Sequence, residues 1–404
     1  MRKNYWKHKK MYENFKFKEP IYVTRPILPA IEVLNEKLSM IWQSKWLTNH
    51  GNMHNELEEM LQAVLKVRNV SIFNNGTIAL LTALKALDLP VGSEVITTPF
   101  TFPATVHCIS WNGLQPVFCD IEPETMTIDP ERIEALINSN TSAILGVHVY
   151  GFPCGVEKIQ SIADKFDLKV IYDAAHAFTT EIHGKGIGTY GDISMFSFHA
   201  TKLFHTLEGG CLSYNDDQYT DKLYYLRNFG IKNEEQVVDI GINGKMNEIQ
   251  AAIGLLNLEL FEQEKQNRRA IKSLYLQNLR ELDGVIIPRM PPKVTDSMQY
   301  FVIRIDKENF GLSRDELYED LKKYNVFTRK YFFPLCSEYE PYEALASSAK
   351  ENLMVASRVQ SEVLCLPLYG TLGTESAQRI CDIIKVIREN RLCLSLEREK
   401  LRNF

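Results

Sequence analysis

Between Asn69 and about Asn215 the chain alternates short β-rich runs with helical patterns, and no other feature narrows the fold as much. The runs Val70–Phe73, Glu94–Thr98, Gln115–Ile121, Ser142–Tyr150, Lys169–Tyr172, Ile193–Phe198 and Gly210–Tyr214 are expected as strands. Ile78–Leu87 is expected as a helix, and so is Pro130–Ile137, where proline suits the first turn. Apolar runs of this length, separated by helices, describe a sheet buried on both faces. The fold class is α/β with a largely parallel sheet.

Flanking segments fit this frame. Leu57, Met60, Leu61, Val64 and Leu65 recur at helical spacing, so residues 54–66 should form an amphipathic helix that packs on the core. A polar stretch from Lys232 to Asp239 precedes a long helical pattern from Met246 to about Leu282. Pro288, Pro291 and Pro292 then punctuate the chain, and a strand-like run Tyr300–Ile305 opens a smaller α/β unit. The boundary is expected in or just before that proline-rich turn, giving a C-terminal domain over 286–404. At 404 residues, two or three packed units are expected.

Composition excludes several classes. With 45% hydrophobic and 24% charged residues the chain is not disordered as a whole. A net charge of −5 leaves no broad cationic field for a nucleic-acid backbone. The eight cysteines (Cys108, Cys119, Cys154, Cys211, Cys336, Cys365, Cys381 and Cys393) form no C-x-x-C pair, so free buried thiols in a reducing cytoplasm are expected, and no metal site. No window is apolar enough to span a membrane. The basic start (Arg2, Lys3, Lys7, Lys9, Lys10) lacks a following apolar stretch and is read as a solvated tail rather than a signal.

Four local features carry possible chemistry, each at an expected strand end. Asn75-Gly76-Thr77 joins a strand to a helix, where glycine and unpaired N–H groups suit a phosphate, or simply a turn. Val170-Ile-Tyr-Asp173-Ala-Ala-His176 ends an apolar strand in an acid that could pair with a protonated ring nitrogen or cap a helix. His176 suits a site or the core. Ser197-Phe-His-Ala-Thr-Lys202, followed by Glu208-Gly-Gly, offers either a desolvated amine for Schiff-base chemistry or a surface charge. Pro99-Phe-Thr-Phe102-Pro-Ala-Thr105 offers Phe102 for stacking on a flat cofactor or for the core. Taken together, a phosphate-binding helix start, a stacking aromatic, an acid and an amine are what pyridoxal 5′-phosphate requires.

With these residues in view, Asp173-Ala-Ala-His176-Ala and Ser197-Phe-His-Ala-Thr-Lys202 with Glu208-Gly-Gly resemble the nucleotide-sugar aminotransferases of the DegT/DnrJ/StrS type. Gly241-Ile-Asn243-Gly-Lys-Met246 followed by Ala251-Ala252 is similar to a later motif of that family. The resemblance runs from about residue 23 to about residue 390. It implies an aspartate-aminotransferase-type fold (fold type I), with a large domain over 23–285 after an extension over 1–22. It further implies that Lys202 is the Schiff-base lysine, that Asp173 binds the pyridine nitrogen, and that His176 sits near the ring hydroxyl. Phe102 would stack on the ring. Gly76, Thr77 and Ser197 would hold the phosphate, and Asn243 would reach it from the other subunit of a homodimer. Tyr172, Asn75 and Lys245 depart from the commoner glutamate, serine and arginine of the family, which touches only supporting contacts.

The substrate follows from resemblance as well. Trp46-Leu-Thr48-Asn49-His-Gly51 is similar to the substrate loop of enzymes that aminate the 4-position of sugar nucleotides. Val326-Phe-Thr-Arg329-Lys-Tyr331-Phe-Phe-Pro334 resembles a segment of the group that forms dTDP-4-amino-4,6-dideoxyglucose. Arg329 and Tyr331 would then contact the donor carboxylate or the sugar diphosphate, although an ordinary exposed strand end fits them equally. The expected reaction moves an amino group from L-glutamate to dTDP-4-dehydro-6-deoxyglucose. A 3-keto-sugar aminotransferase would use the same cofactor residues. A regulator that keeps the fold would lack cofactor absorbance, and the paired Lys202 and Asp173 count against it.

Overall fold

In this computed structural model residues 15–402 are described, with side chains described as far as Arg391. The basic N-terminal tail and the Cys393 side chain lie outside what is described. Seven strands make the central sheet: β1 (Asn69–Phe73), β2 (Glu94–Thr97), β3 (Gln115–Phe118), β4 (Thr141–Val147), β5 (Lys169–Asp173), β6 (Ile193–Ser197) and β7 (Gly210–Tyr214). Their order is β1-β7-β6-β5-β4-β2-β3. Six strands run in one direction, and β7 alone is antiparallel to both of its neighbours.

The sheet is buried on both faces because its side chains alternate between two cores. In β5, Val170 and Tyr172 pack with one core and Ile171 with the other. Helix α1 (Ile31–Ser44) leads to α2 (Asn52–Leu65), whose stripe of Leu57, Leu61 and Leu65 enters one core as expected. On the opposite face lie α3 (Gly76–Ala86) and α4 (Pro103–Trp111), with α5 (Val156–Phe166) back on the first.

Two strands are shorter than their apolar runs suggest. β4 stops at Val147, because Tyr150 adopts φ +56° and Gly151 φ +90° in a turn that leaves the sheet. β3 stops at Phe118, and Asp120 turns aside to accept the Val355 and Ala356 N–H groups. The expected helix Pro130–Ile137 is one short α-turn, Pro130–Ile133, continued as a 3-10 turn, Glu134–Leu136.

After α6 (Gln218–Leu226), the long α7 (Glu248–Leu279) starts at a capping box formed by Asn247 and Gln250. The second unit is an antiparallel sheet of β8 (Val285–Ile286), β9 (Phe301–Ile305) and β10 (Val363–Leu366). It is covered by α8 (Arg314–Lys323), α9 (Met354–Glu362) and α10 (Gly373–Arg402). Its core takes in Phe17 from the chain's start and Ile271, Tyr275 and Leu279 from α7. Ile21–Tyr22 also pairs in parallel with Val326–Phe327. On this packing we propose a domain boundary within α7, upstream of the expected 286, and group residues 15–22 with the smaller unit. All seven described cysteines are free and buried. No helix among the described residues is long and apolar enough to cross a membrane.

Candidate active site

The carboxyl ends of β5 and β6, the start of α3 and the start of α4 converge on a cavity of about 630 Å³. Gly76, Thr77, Phe102, Asp173, His176, Ser197, Lys202 and Tyr331 all line it. These eight expected site residues therefore meet in one place.

The floor is set by Asp173, the last residue of β5 and only 6% exposed. Its Oδ1 accepts the Ala175 N–H at 3.0 Å and its Oδ2 accepts the Thr105 hydroxyl at 2.8 Å. Burial pushes its pKa above the usual carboxylate value, while these two donors and Lys202 pull it back. A buried acceptor-only group with lone pairs to spare is suited to a cationic N–H.

Lys202 lies in the turn after β6, partly buried, and its side chain has no ion-pair partner among the described residues. Burial lowers its amine to about 8, with Asp173 opposing the shift. At about pH 8 roughly half is free amine, against well under 1% for an ordinary lysine. Such an amine is a nucleophile and a base at neutral to mildly alkaline pH.

His176 is held in one protonation state. Its Nδ1 accepts the Tyr150 N–H at 3.1 Å, and burial lowers its pKa well below the usual range. A neutral ring that accepts at Nδ1 carries its proton on Nε2, which is left as a donor. The left-handed turn that ends β4 is what brings the Tyr150 N–H to it.

The start of α3 forms the anion end. Asn75 caps the helix by accepting the Ile78 N–H at 2.8 Å, which leaves the Gly76 and Thr77 N–H groups without intrahelical acceptors. Ser197 lies against them, and a methyl on Gly76 would come 3.1 Å from its Cβ. Close approach of three segments is the reason for glycine here and at 210, where a Cβ would meet the Gly76 backbone at 2.7 Å. Phe102, 58% exposed, lies at the rim and not in the core.

Asn243, Trp46, Thr48, Asn49 and Arg329 do not line this cavity, and all five are exposed. The Asn243 carbonyl accepts from Asn74, the Trp46 indole N–H donates to the Asn49 carbonyl at 3.2 Å, and the Arg329 backbone pairs with Cys365. Sequence reasoning missed Thr101, His199, Thr201, Glu208, Tyr300 and Phe332, which also line the cavity. Thr101, His199, Thr201, Glu208 and Phe332 stood inside segments already singled out. Tyr300 and Phe332 arrive from the second unit, and nothing in the sequence around Tyr300 points to a site.

One further cluster gathers residue types that can ligate a metal. His50, His54 and Glu58 have potential ligand atoms within 4.8 Å of one another. Glu58 already accepts from the Arg227 guanidinium at 2.7 Å and the Ile72 N–H at 2.9 Å. A divalent cation would sit beside that guanidinium, so we assign no metal to the cluster.

The profile of the DegT/DnrJ/EryC1/StrS aminotransferase family matches residues 30–385. The chain is 43% identical over 370 residues to the dTDP-4-amino-4,6-dideoxy-D-glucose transaminase of Shigella dysenteriae, covering 92% of this chain and 100% of that one. It is 45% identical over 367 residues to the Escherichia coli protein of the same name, covering 90% and 98%. Among solved structures, DesI determined in the presence of its TDP-sugar product superposes with a TM-score of 0.89 at 34% identity, covering 95% and 97%.

Proposed function

The chain belongs to the DegT/DnrJ/EryC1/StrS aminotransferase family, and from that membership we propose the reaction it performs. It moves an amino group from L-glutamate to the 4-keto carbon of dTDP-4-dehydro-6-deoxy-D-glucose, giving dTDP-4-amino-4,6-dideoxy-D-glucose. The observation that carries this reading is the similarity to two transaminases of that sugar over at least 90% of each chain.

The donor set supports pyridoxal 5′-phosphate as the cofactor. Asp173 would hold the ring nitrogen, and the start of α3 with Thr77 and Ser197 would hold the phosphate, where Gly76 leaves the room. Phe102 would cover the ring and the Nε2–H of His176 would donate to the ring oxygen. When bound, this cofactor supplies a carbonyl carbon that takes up an amino group and a protonated ring that draws electrons from a deprotonated carbon.

The chain's own residues do the rest. The Asp173 carboxylate keeps the proton on the ring nitrogen, and burial strengthens that pairing. The Lys202 Nζ, lowered to about 8, takes a proton from the donor's α-carbon and later returns one to the sugar's C4. Tyr300, Tyr331 and Phe332 wall the cavity on the side of the second unit, excluding water from the exchange.

We further propose a homodimer. Phe229, Ile231, Val237, Val238, Ile240 and Ile242 are exposed on one segment that ends at Asn243. A second copy covering this segment would bring Asn243 to the partner's phosphate. Trp46, Thr48, Asn49 and Arg329, exposed beyond the cavity, remain our proposed contacts for the sugar nucleotide and the donor carboxylate. The enzyme is assigned to the cytoplasm, in line with its free buried thiols.

The test is incubation of the cofactor-loaded protein with glutamate and, separately, the 4-keto and 3-keto dTDP-6-deoxysugars, with products identified by mass and NMR. Amination at C4 is expected. Preferential amination at C3, or no amination of either, would overturn the assignment.

A further inference from the structure

We propose that Thr101 and Thr105 are positioning residues that hold Asp173 as a carboxylate for the cofactor's ring nitrogen, acting as a one-way hydrogen-bond relay. The proposal rests on the cofactor reading above.

The direction of the relay follows from valence. An ionised carboxylate only accepts, so at 2.8 Å the Thr105 hydroxyl must donate its single proton to the Asp173 Oδ2. The Thr101 and Thr105 hydroxyls are also 2.8 Å apart. With the Thr105 proton committed, Thr101 must be the donor in that second bond. The chain therefore runs from the Thr101 O–H to the Thr105 oxygen, and from the Thr105 O–H to Asp173. Each bond polarises the next toward the carboxylate.

Burial makes this arrangement consequential. Thr101 is 1% exposed and Thr105 is fully buried, so both hydroxyls are shielded from bulk solvent. Protonating Asp173 at Oδ2 would turn both threonine hydroxyls round and leave the buried Thr101 proton without an acceptor among the described residues, which is costly. The ionisable groups that face Asp173 are few. Among the described residues Lys202 is the cation that acts on it, and it favours the charged form. The Cys108 thiol on α4 is pushed up to about 12 by burial, and the Cys154 thiol is pushed up as well, so both stay neutral. His176 is neutral too. The relay thus stands beside Lys202 and the Ala175 N–H against the desolvation that would otherwise neutralise the acid.

The local sequence builds the relay and the ring's cover together. Phe102 is the N-cap residue of α4 and Pro103 occupies its first turn. Thr101 and Thr105, four residues apart, lie on either side of that start, while Phe102 points to the cavity rim. One short segment supplies the group over the ring and the groups under the acid.

The experiment loads the enzyme with ¹⁵N-labelled pyridoxal phosphate and reads the ring nitrogen's protonation by NMR across pH, beside turnover. Thr105→Val keeps the branched shape and removes the donor; Thr105→Ser keeps the donor. In Thr105→Val the ring nitrogen should lose its proton at lower pH than in the parent, with turnover down about tenfold. Thr101→Val should shift both in the same direction by about two- to threefold in turnover, and Thr105→Ser should restore parent behaviour. A parent-like ring nitrogen in loaded Thr105→Val would refute the relay, as would a Thr105→Ser variant as impaired as Thr105→Val. If Thr105→Val does not fold, Thr101→Val decides by the same reading. A parent protein that binds no labelled cofactor would overturn the cofactor reading itself, and the relay with it, which keeps the two failures distinct.

Discussion

Replacing Asp173 with asparagine separates the chemistry of this carboxylate from its place in the fold. The side chain is buried and holds the Ala175 N–H at 3.0 Å and the Thr105 hydroxyl at 2.8 Å. An amide of the same shape can keep both contacts, its oxygen accepting from Ala175 and its NH₂ donating to a rotated Thr105 hydroxyl. What it loses is the charge. Burial raises the Asp173 pKa, so folding favours the uncharged acid. That stability is fully present below the ordinary carboxylate pKa and is lost as pH rises through the raised folded value. Near neutral pH the ionised group is thus a net cost to the cofactor-free fold. The cofactor-free variant should therefore melt no lower than the parent near neutral pH, with the difference shrinking as pH falls. Turnover should move the other way, falling on the order of a hundredfold or more, or about 3 kcal/mol of transition-state stabilisation. Lys202 gives a third readout. Its value of about 8 balances burial, which lowers it, against Asp173, which raises it. In the variant the amine should fall further, so labelling of Lys202 in cofactor-free protein should reach half-maximum at lower pH. Calorimetry, steady-state turnover and pH-dependent amine labelling measure the three effects. Near-parent turnover, or a melting point several degrees below the parent, would show that Asp173 serves mainly as a structural cap.

Borohydride treatment of the loaded enzyme should attach the cofactor covalently to Lys202, and Lys202→Ala should abolish turnover; peptide mapping that finds the label elsewhere would refute the assignment. Mixing inactive Lys202→Ala with inactive Asn243→Asp should restore activity toward about half per hybrid dimer after subunit exchange, since one site then carries neither defect. No recovery despite demonstrated exchange would refute the shared site. Gly210→Ala would set a Cβ 2.7 Å from the Gly76 Cα and 2.8 Å from its nitrogen, displacing the start of α3. A stability loss of about 1–3 kcal/mol is expected, together with at least a tenfold weaker hold on the cofactor, read by calorimetry and cofactor titration. Unchanged cofactor affinity would remove α3 from the phosphate site.

Much of the molecule is written locally. The seven strands of the large sheet were legible because each is a short apolar run whose alternate side chains face two cores. Gly76, Asp173 and Ser197 were legible because each stands at the end of its own strand or the start of its own helix, and Lys202 because it lies in the turn that leaves β6; parallel strands bring those ends to one edge. The ends of β3 and β4 were misjudged, because apolar runs continue into turns that are buried for other reasons: Ile121 in the core and Tyr150 beneath the site. Contacts between distant segments had no local signature. Thr105 meets Asp173 across 68 residues, and the Tyr150 N–H meets His176 across 26. Phe332 and Tyr300 close the cavity from the second unit, and Phe17 joins the core of a sheet nearly three hundred positions later. Periodicity records which face of an element is buried, so the sequence alone determined the elements and the residues at their ends. Which donors meet Asp173 and His176, and so which protonation states they hold, depends on register and packing between elements, and only the tertiary structure decided it.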